Sequence, residues 1–292
     1  MSFFRYPGGK RKLRKHIITR VRTMMRQFSC LEYREPFLGG GSIMAGLLKA
    51  PLFERVWLND KDIGVACIWT ALLSHSRKLK KKLKNYIPKV DDFYEFRDEL
   101  LAVTRKPTTE KGVLDMAFKK IVTHQISYSG LGVRSGGPLG GREQRSKYKI
   151  DCRWSPDYIC KRIDTIAECF SDLVVVKDQC TCSDFEPLLN IGGRGVVVYL
   201  DPPYYVKGND LYQFGFTVED HERLANVLRG TKHKWLLSYD DCPEIRSLYS
   251  DWARLDEVDV TYNITAMKEP ETGIRKSRSR TELLISSCQS RR

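Results

Sequence analysis

The chain has 292 residues, 41% of them hydrophobic, enough for a large core and too many for a disordered polymer. Its 50 basic and 36 acidic residues leave a net charge of +14, an excess that points to a polyanionic partner. No apolar run approaches the ~20 residues of a membrane span, and the basic first segment lacks the apolar core of a signal peptide. The nine cysteines are odd in number and none lies at ligand spacing, which argues against disulfides and against a bound metal. These features predict a soluble cytoplasmic protein.

The first segment, Phe3 to Lys10, contains Tyr6-Pro7-Gly8-Gly9-Lys10 and leads into a basic amphipathic helix ending near Gln27. Its Gly-Gly-Lys is no phosphate loop, because the GxxxxGK[ST] spacing and the preceding strand are both missing. Arg5 to Lys15 holds six positive charges. Leu31 to Phe37 reads as the first sheet strand. It is followed by the turn Leu38-Gly39-Gly40-Gly41-Ser42 and a helix from Ile43 to Leu48. A glycine turn between strand and helix lets a cofactor approach the backbone closely. Val56 to Leu58 forms the next strand, and Asp60 at its end can accept from ribose hydroxyls. Turn and acid together suit a nicotinamide cofactor as well as S-adenosylmethionine.

From about Leu72 to Phe170 the texture becomes helical and charged, with helices predicted at Leu72–Tyr86, Asp91–Val103 and Gly112–Ile126. The six charges of Arg77 to Lys84 read best as a solvated helix face. A glycine-rich segment, Ser127 to Gly141, follows and is expected to form a hairpin. Tyr128, Arg134, Arg142, Arg145 and Lys147 lie in or just after it, with Tyr148, Lys149, Arg153 and Trp154 beyond. Basic residues interleaved with aromatics can grip phosphates and wedge bases, although a plain surface loop has the same composition.

The sheet resumes at Leu173 to Val176, followed by Asp184 and Phe185 at a further strand end. Val196 to Leu200 reads as a strand buried on both faces. It stops at Asp201-Pro202-Pro203-Tyr204, since neither proline can donate to a ladder. Ligands of open α/β sheets gather outside such carboxyl ends. The strand therefore presents a carboxylate, a carbonyl and an aromatic face at one spot. That trio suits methylation of an exocyclic amino group, whose lone pair is delocalised into its ring. Two acceptors, Asp201 and the Pro202 carbonyl, would draw the nitrogen toward tetrahedral geometry, while Tyr204 stacks on the base. Beyond lie a strand from Trp235 to Asp240 and two alternating runs, Leu255–Tyr262 and Thr281–Ser287, that predict a closing antiparallel hairpin. Arg275 to Arg280 adds four positive charges.

Taken in order, these motifs resemble the Dam-type, or class alpha, DNA adenine-N6 methyltransferases. Tyr6 to Lys10 looks like that family's N-terminal cofactor segment. Glu35-Pro36-Phe37-Leu38-Gly39-Gly40-Gly41-Ser42 is similar to its S-adenosylmethionine turn, Asn59-Asp60 to its ribose acid, and Ser183-Asp184-Phe185 to the pair that reads the cofactor adenine. Asp201 to Tyr204 resembles the catalytic tetrapeptide, with Asp201 also bordering the cofactor. Phe216-Thr217, Ser238 to Asp241 and Glu282 to Leu284 match later segments more loosely.

The resemblance implies a class I, Rossmann-like catalytic domain made of residues 1–71 and 171–292. An inserted, mainly helical target-recognition domain would occupy 72–170 and carry the basic glycine-rich hairpin. The implied partners are S-adenosylmethionine and double-stranded DNA, with Arg5 as a further DNA contact. The tetrapeptide alone also permits cytosine-N4 methylation. A catalytically silent DNA-binding homologue and a nicotinamide-dependent oxidoreductase are the other classes to be separated.

Overall fold

The computed structural model describes residues 4, 6, 10, 12–176, 180–206, 214–268 and 275–287, without the side chains of 261–280. Helix α1 (Arg14–Gln27) precedes β1 (Glu32–Glu35), α2 (Met44–Leu47) and β2 (Arg55–Leu58). Helices α3 (Ile63–Lys84), α4 (Val90–Ala102), α5 (Glu110–Ile126) and α6 (Pro156–Cys169) follow as a block. The chain then returns through β3 (Val174–Val175), α7 (Glu186–Asn190), β4 (Val196–Leu200) and α8 (Val218–Gly230). It closes with β5 (Lys234–Asp240), α9 (Pro243–Tyr249), β6 (Arg254–Lys268) and β7 (Arg275–Ser286).

The strands form one seven-stranded sheet in the order β3-β2-β1-β4-β5-β7-β6. The first five are mutually parallel, and β7 runs antiparallel between β5 and β6. Strand β4 is buried along its whole length, as its unbroken apolar run requires of an inner parallel strand. Chain direction across the sheet reverses between β1 and β4, so a crevice opens beyond their carboxyl ends. The two chain segments that enter it begin at Pro36 and Asp201.

One sheet face packs on α7, α8 and α9 through residues such as Leu224, Ile245 and Tyr249. The opposite face shares a core with α1, α3 and the helical block, joining Ile17 and Val197 to Leu79, Phe93, Ile121 and Ile163. The expected break between residues 71 and 72 therefore falls inside a helix. Helix α3 crosses it and kinks only at His75 (φ −139°, ψ 27°). The basic run on this helix is braced by acids of the same block. Lys78 pairs with Glu110, Lys80 with Asp164, Lys82 with Asp115 and Lys84 with Asp157.

The glycine-rich segment, expected as a hairpin, folds back on itself without forming an extended ladder. It has a single antiparallel bridge, Ser127 with Pro138, and two short 3-10 turns at Tyr128–Gly130 and Gly132–Arg134. Left-handed backbone at Gly130 (φ +74°) and Gly132 (φ +60°) turns the chain too sharply for a ladder. Its base is pinned by polar side chains. His124 Nδ1 meets the Gly130 carbonyl at 2.9 Å, and the Gly132 N–H donates to Ser127 Oγ at 2.9 Å.

Among the described residues, no helix is long and apolar enough to cross a membrane. None of them form a group of three or more His, Cys, Asp or Glu side chains placed to hold a metal ion.

The helical block is fastened to the sheet by a buried ion pair. Asp62 caps α3 by accepting the Val65 N–H at 3.1 Å, and its other oxygen lies 2.5 Å from Lys120 Nζ on α5. The lysine stem crosses α3 at Gly64, where an added Cβ would lie 2.7 Å from Lys120 Cδ. Lys120→Met keeps the stem and leaves Asp62 without its cation. That substitution should lower unfolding free energy by about 3–5 kcal/mol, the usual cost of breaking a buried pair from one side. Urea titration measures it, and a loss below about 1 kcal/mol would mean that water already screens the pair.

Candidate active site

The site is assembled where β1, β4 and β5 end. Asp201 follows β4, and its Oδ1 lies 2.7 Å from Lys10 Nζ and 3.1 Å from Ser238 Oγ of β5. Both donors sit on the same oxygen, and no hydrogen bond to Oδ2 is found among the described residues. Burial pushes the Asp201 carboxyl above its ordinary value, while Lys10 and Ser238 pull the other way. Pro202 and Pro203 are buried and Tyr204 half-buried. The Tyr204 hydroxyl accepts from Lys10 Nζ at 2.5 Å and donates to Glu282 Oε2 of β7. Asp240, at the end of β5, accepts the Tyr205 and Val206 N–H groups, each at 3.1 Å.

Around the β1 exit, Gly39 (φ +49°) and Gly41 (φ +60°) turn the backbone through the left-handed region. The turn is closely packed. A Cβ on Gly39 would lie 2.8 Å from the Tyr6 ring, and one on Gly41 only 2.0 Å from Trp69. Trp69 Nε1 donates to the Gly39 carbonyl at 3.0 Å, and Arg14 Nε to the Ser42 carbonyl at 3.1 Å. Asp60 is buried at the end of β2. One of its oxygens accepts the Gly39 N–H at 2.7 Å and the other the Asp62 N–H at 2.9 Å. Burial, then the neighbouring Asp62, push its carboxyl up to about 7 against those N–H groups and Lys120. Asn59 links β1, β2 and the segment after β3, donating to the Pro36 and Ser183 carbonyls at 3.0 Å each.

Phe37 and Phe185 lie 5.9 Å apart and share an aromatic group with Phe216. Asp184 is held by Arg223 through two bonds of 3.0 Å. Burial raises the Asp184 carboxyl, but the Arg223 bonds outweigh it and the net shift is downward.

The expected site residues thus divide by position. Asp201, Pro202, Pro203 and Tyr204 meet at the β4 end, and Pro36, Phe37, Gly39, Gly41, Ser42, Asp60 and Tyr6 surround the glycine turn. Asp184 and Phe185 join them through the aromatic group. Lys10, expected among the cofactor residues, has its ammonium on Asp201 and Tyr204. Arg5 lies outside the described residues. Tyr128, Arg134, Arg142, Arg145 and Lys147 are exposed on or beside the glycine-rich loop. Of these, Arg142 lies 5.1 Å from the Tyr94 ring, and Arg145 is 3.9 Å from Glu143.

Asn59, Arg223, Ser238, Asp240 and Glu282 were not among the expected site residues. Asn59, Ser238, Asp240 and Glu282 do fall in segments that resemble the Dam-type family. Arg223 had no signal beyond its place on an amphipathic helix.

The family model for D12 class N6 adenine-specific DNA methyltransferase matches residues 6–264. The chain is also similar to the retron Ec67 DNA adenine methylase of Escherichia coli, 31% identical over 106 residues. That stretch covers 35% of this chain and 35% of the relative, so only about a third of the relative's length is matched.

Asp60 should leave a mark on the pH dependence of stability. Its carboxyl titrates near 7 when folded and near 3.9 in a model peptide, so between those values the folded chain holds a proton the unfolded chain has lost. Stability contributed by the neutral acid is complete below about pH 4 and declines as pH rises toward 7. Asp60→Asn should flatten that decline and lower the low-pH baseline, since an amide oxygen replaces two acceptors. Urea midpoints at pH 4.5, 6 and 7.5 for both proteins decide it, and parallel profiles would place the titration elsewhere.

Proposed function

Since the chain belongs to the D12 class N6 adenine-specific DNA methyltransferases, we propose that it methylates adenine N6 in double-stranded DNA, with S-adenosylmethionine as donor. The observation that carries this reading is the Asp201 carboxylate. Lys10 and Ser238 both spend their protons on Oδ1, which leaves Oδ2 to accept from an incoming amino group. The Pro202 carbonyl is the second acceptor, fixed by two buried prolines.

S-adenosylmethionine, when bound, supplies a methyl group on a positively charged sulfur. Asp60, whose two oxygens sit at the Gly39 turn and at the start of the next helix, is the assigned partner of its ribose hydroxyls, and the Gly39–Gly41 turn that of its amino-acid part. Phe37, Phe185 and Asp184 are the assigned partners of its adenine. The chain's remaining work is positioning. Two acceptors localise the amine lone pair, and Tyr204 offers a face to the base, so no strong base is required. Asp240 holds the backbone just after Tyr204.

A duplex hides N6 in the stack, so the base must flip out at a cost of a few kcal/mol. The helical block, residues 72–170, is the proposed recognition unit. Its exposed Tyr128, Arg134, Arg142, Arg145 and Lys147 offset that cost by gripping DNA. Cytosine-N4 methylation and a silent homologue are the outcomes that would replace this reading. Modification-sensitive sequencing of DNA from expressing cells reports base and site together.

Asp201→Ala should abolish methyl incorporation into duplex DNA and weaken S-adenosylmethionine binding far less. Activity within tenfold of the parent, at about 1.4 kcal/mol per tenfold, would leave Asp201 no major part in the reaction.

For the loop, log affinity for duplex should fall with log salt at a slope near −0.9 per phosphate contact. Removing Arg134, Arg142, Arg145 or Lys147 singly should flatten the slope by about one unit where that residue touches phosphate. A base-reading residue would instead cost ~1–3 kcal/mol at one site position. Parental slope and affinity in all four variants, on methylated and scrambled sequences, would move the DNA grip off this loop.

A further inference from the structure

Glu282 lies far from the tetrapeptide in sequence and comes to it only because β7 runs against β5. In that register Glu282 stands opposite Asp240, the last residue of β5, at the level where the parallel strands end. Asp240 holds the backbone of Tyr205 and Val206. Glu282, 7% exposed, accepts the Tyr204 hydroxyl proton at Oε2. One pair of opposed acids therefore fixes both the chain and the ring that follow the two prolines.

The hydrogen-bond directions are forced. A lysine ammonium has three donors and no acceptor. Lys10 lies between Asp201 and Tyr204, so the Tyr204 oxygen must accept from it, and the phenol hydrogen must go elsewhere. Glu282 is where it goes. Without that acceptor the phenol hydrogen loses its partner, and the ring must turn to find another, drawing its oxygen away from Lys10. We infer that Glu282 is a positioning residue of the methyl-transfer site, orienting the Tyr204 ring and keeping its oxygen on Lys10. The inference deepens the proposed function and rests on it for its kinetic consequence, though not for its structural one.

Burial, and then the negative charge on Asp201 and Glu282, also holds the Tyr204 phenol well above the ordinary tyrosine range. The groups facing the phenol are Lys10 from the N-terminal segment, Asp201 from the end of β4, Tyr199 from β4 and Glu282 from β7.

The test uses the full chain in two arms. In the first, without DNA, the 13Cζ resonance of Tyr204 is assigned by Tyr204→Phe and followed against pH. The parental phenol should titrate above the free tyrosine value of ~10. In Glu282→Leu and Glu282→Gln, which both lose the charge, its titration should move to lower pH. An unmoved titration in Glu282→Gln overturns the inference even where Glu282→Leu fails to fold.

In the second arm, kcat and both KM values are measured on a duplex the parent methylates. Glu282→Leu should lower kcat at least about tenfold, the loss expected from one hydrogen bond to a charged group, with cofactor KM little changed. Glu282→Gln keeps an acceptor for the phenol hydrogen and should stay within about threefold of the parent, a difference below 1 kcal/mol. In a Tyr204→Phe background, Glu282→Leu should cost nothing further. Equal damage by Gln and Leu, or full additivity with Tyr204→Phe, overturns the positioning role. A parent that methylates no adenine defeats the proposed function alone, because the first arm still decides what Glu282 does to Tyr204.

Discussion

The Lys10 ammonium, 8% exposed, touches Asp201 Oδ1 at 2.7 Å and the Tyr204 hydroxyl at 2.5 Å. A charge buried to that degree persists only where partners replace its water. Here the partners are the two side chains proposed to meet the substrate. Lys10 occupies one carboxylate oxygen and so decides which oxygen is left open. It occupies the phenol oxygen and so decides where the phenol hydrogen points. Ser238 and Glu282 complete the pattern from β5 and β7, each with one bond whose direction the lysine has already set. The arrangement needs no residue with the basicity to deprotonate an amine. Its chemistry is the geometry of acceptors.

Topology explains how such distant residues converge. Parallel strands end at one level, and the reversal between β1 and β4 leaves an opening at that level. The glycine turn leaves β1 on one side of it and the tetrapeptide leaves β4 on the other. A sheet of parallel strands alone would supply only strand-end residues from one direction. The antiparallel β7 adds a residue from early in its own pairing with β5, and Glu282 is that residue. Asn59 performs a comparable task beside the turn, tying the ends of β1 and β2 to Ser183 with one amide.

Sequence pattern disclosed the parts whose cause is local. The apolar run Val196 to Leu200 can only be an inner strand, and two prolines can only end it. A buried acid after β2 and glycines after β1 were legible for the same reason. The detail of the glycine-rich segment was not legible, because glycines permit a laddered hairpin and a series of left-handed turns equally well. The choice was made by His124 and Ser127, whose bonds to Gly130 and Gly132 no periodicity reveals. The break placed at residue 72 falls inside helix α3. Charge density changes there, but helix α3 continues because its buried face runs on through Leu79 and Leu83. Lys10 was legible as a site residue and not as a partner of Asp201, since residues 191 positions apart share no local signal. Asp184 was expected at a strand end, but β3 stops at Val175 and among the described residues only a lone bridge at Thr181 lies between; its capture by Arg223 depends on how α8 packs.

The distribution of positive charge follows from the same packing. A net charge of +14 says nothing about where the excess acts. In the basic run of α3, Lys78, Lys82, Lys84 and Lys80 pair with Glu110, Asp115, Asp157 and Asp164 and brace helices. The loop that follows α5 differs. Arg134, Arg142, Arg145, Lys147 and Lys149 are exposed, on backbone whose base is pinned by His124 and Ser127. His124 in turn lies against Tyr6, 5.3 Å away, and the Tyr6 ring covers Gly39 of the glycine turn. Four residues before His124, Lys120 reaches Asp62, whose N–H donates to Asp60. Helix α5 is thus the shared foundation of the exposed basic loop and of the glycine turn. A shift of the loop's base is passed to that turn through Tyr6 and Asp62, because packed side chains transmit a displacement instead of absorbing it.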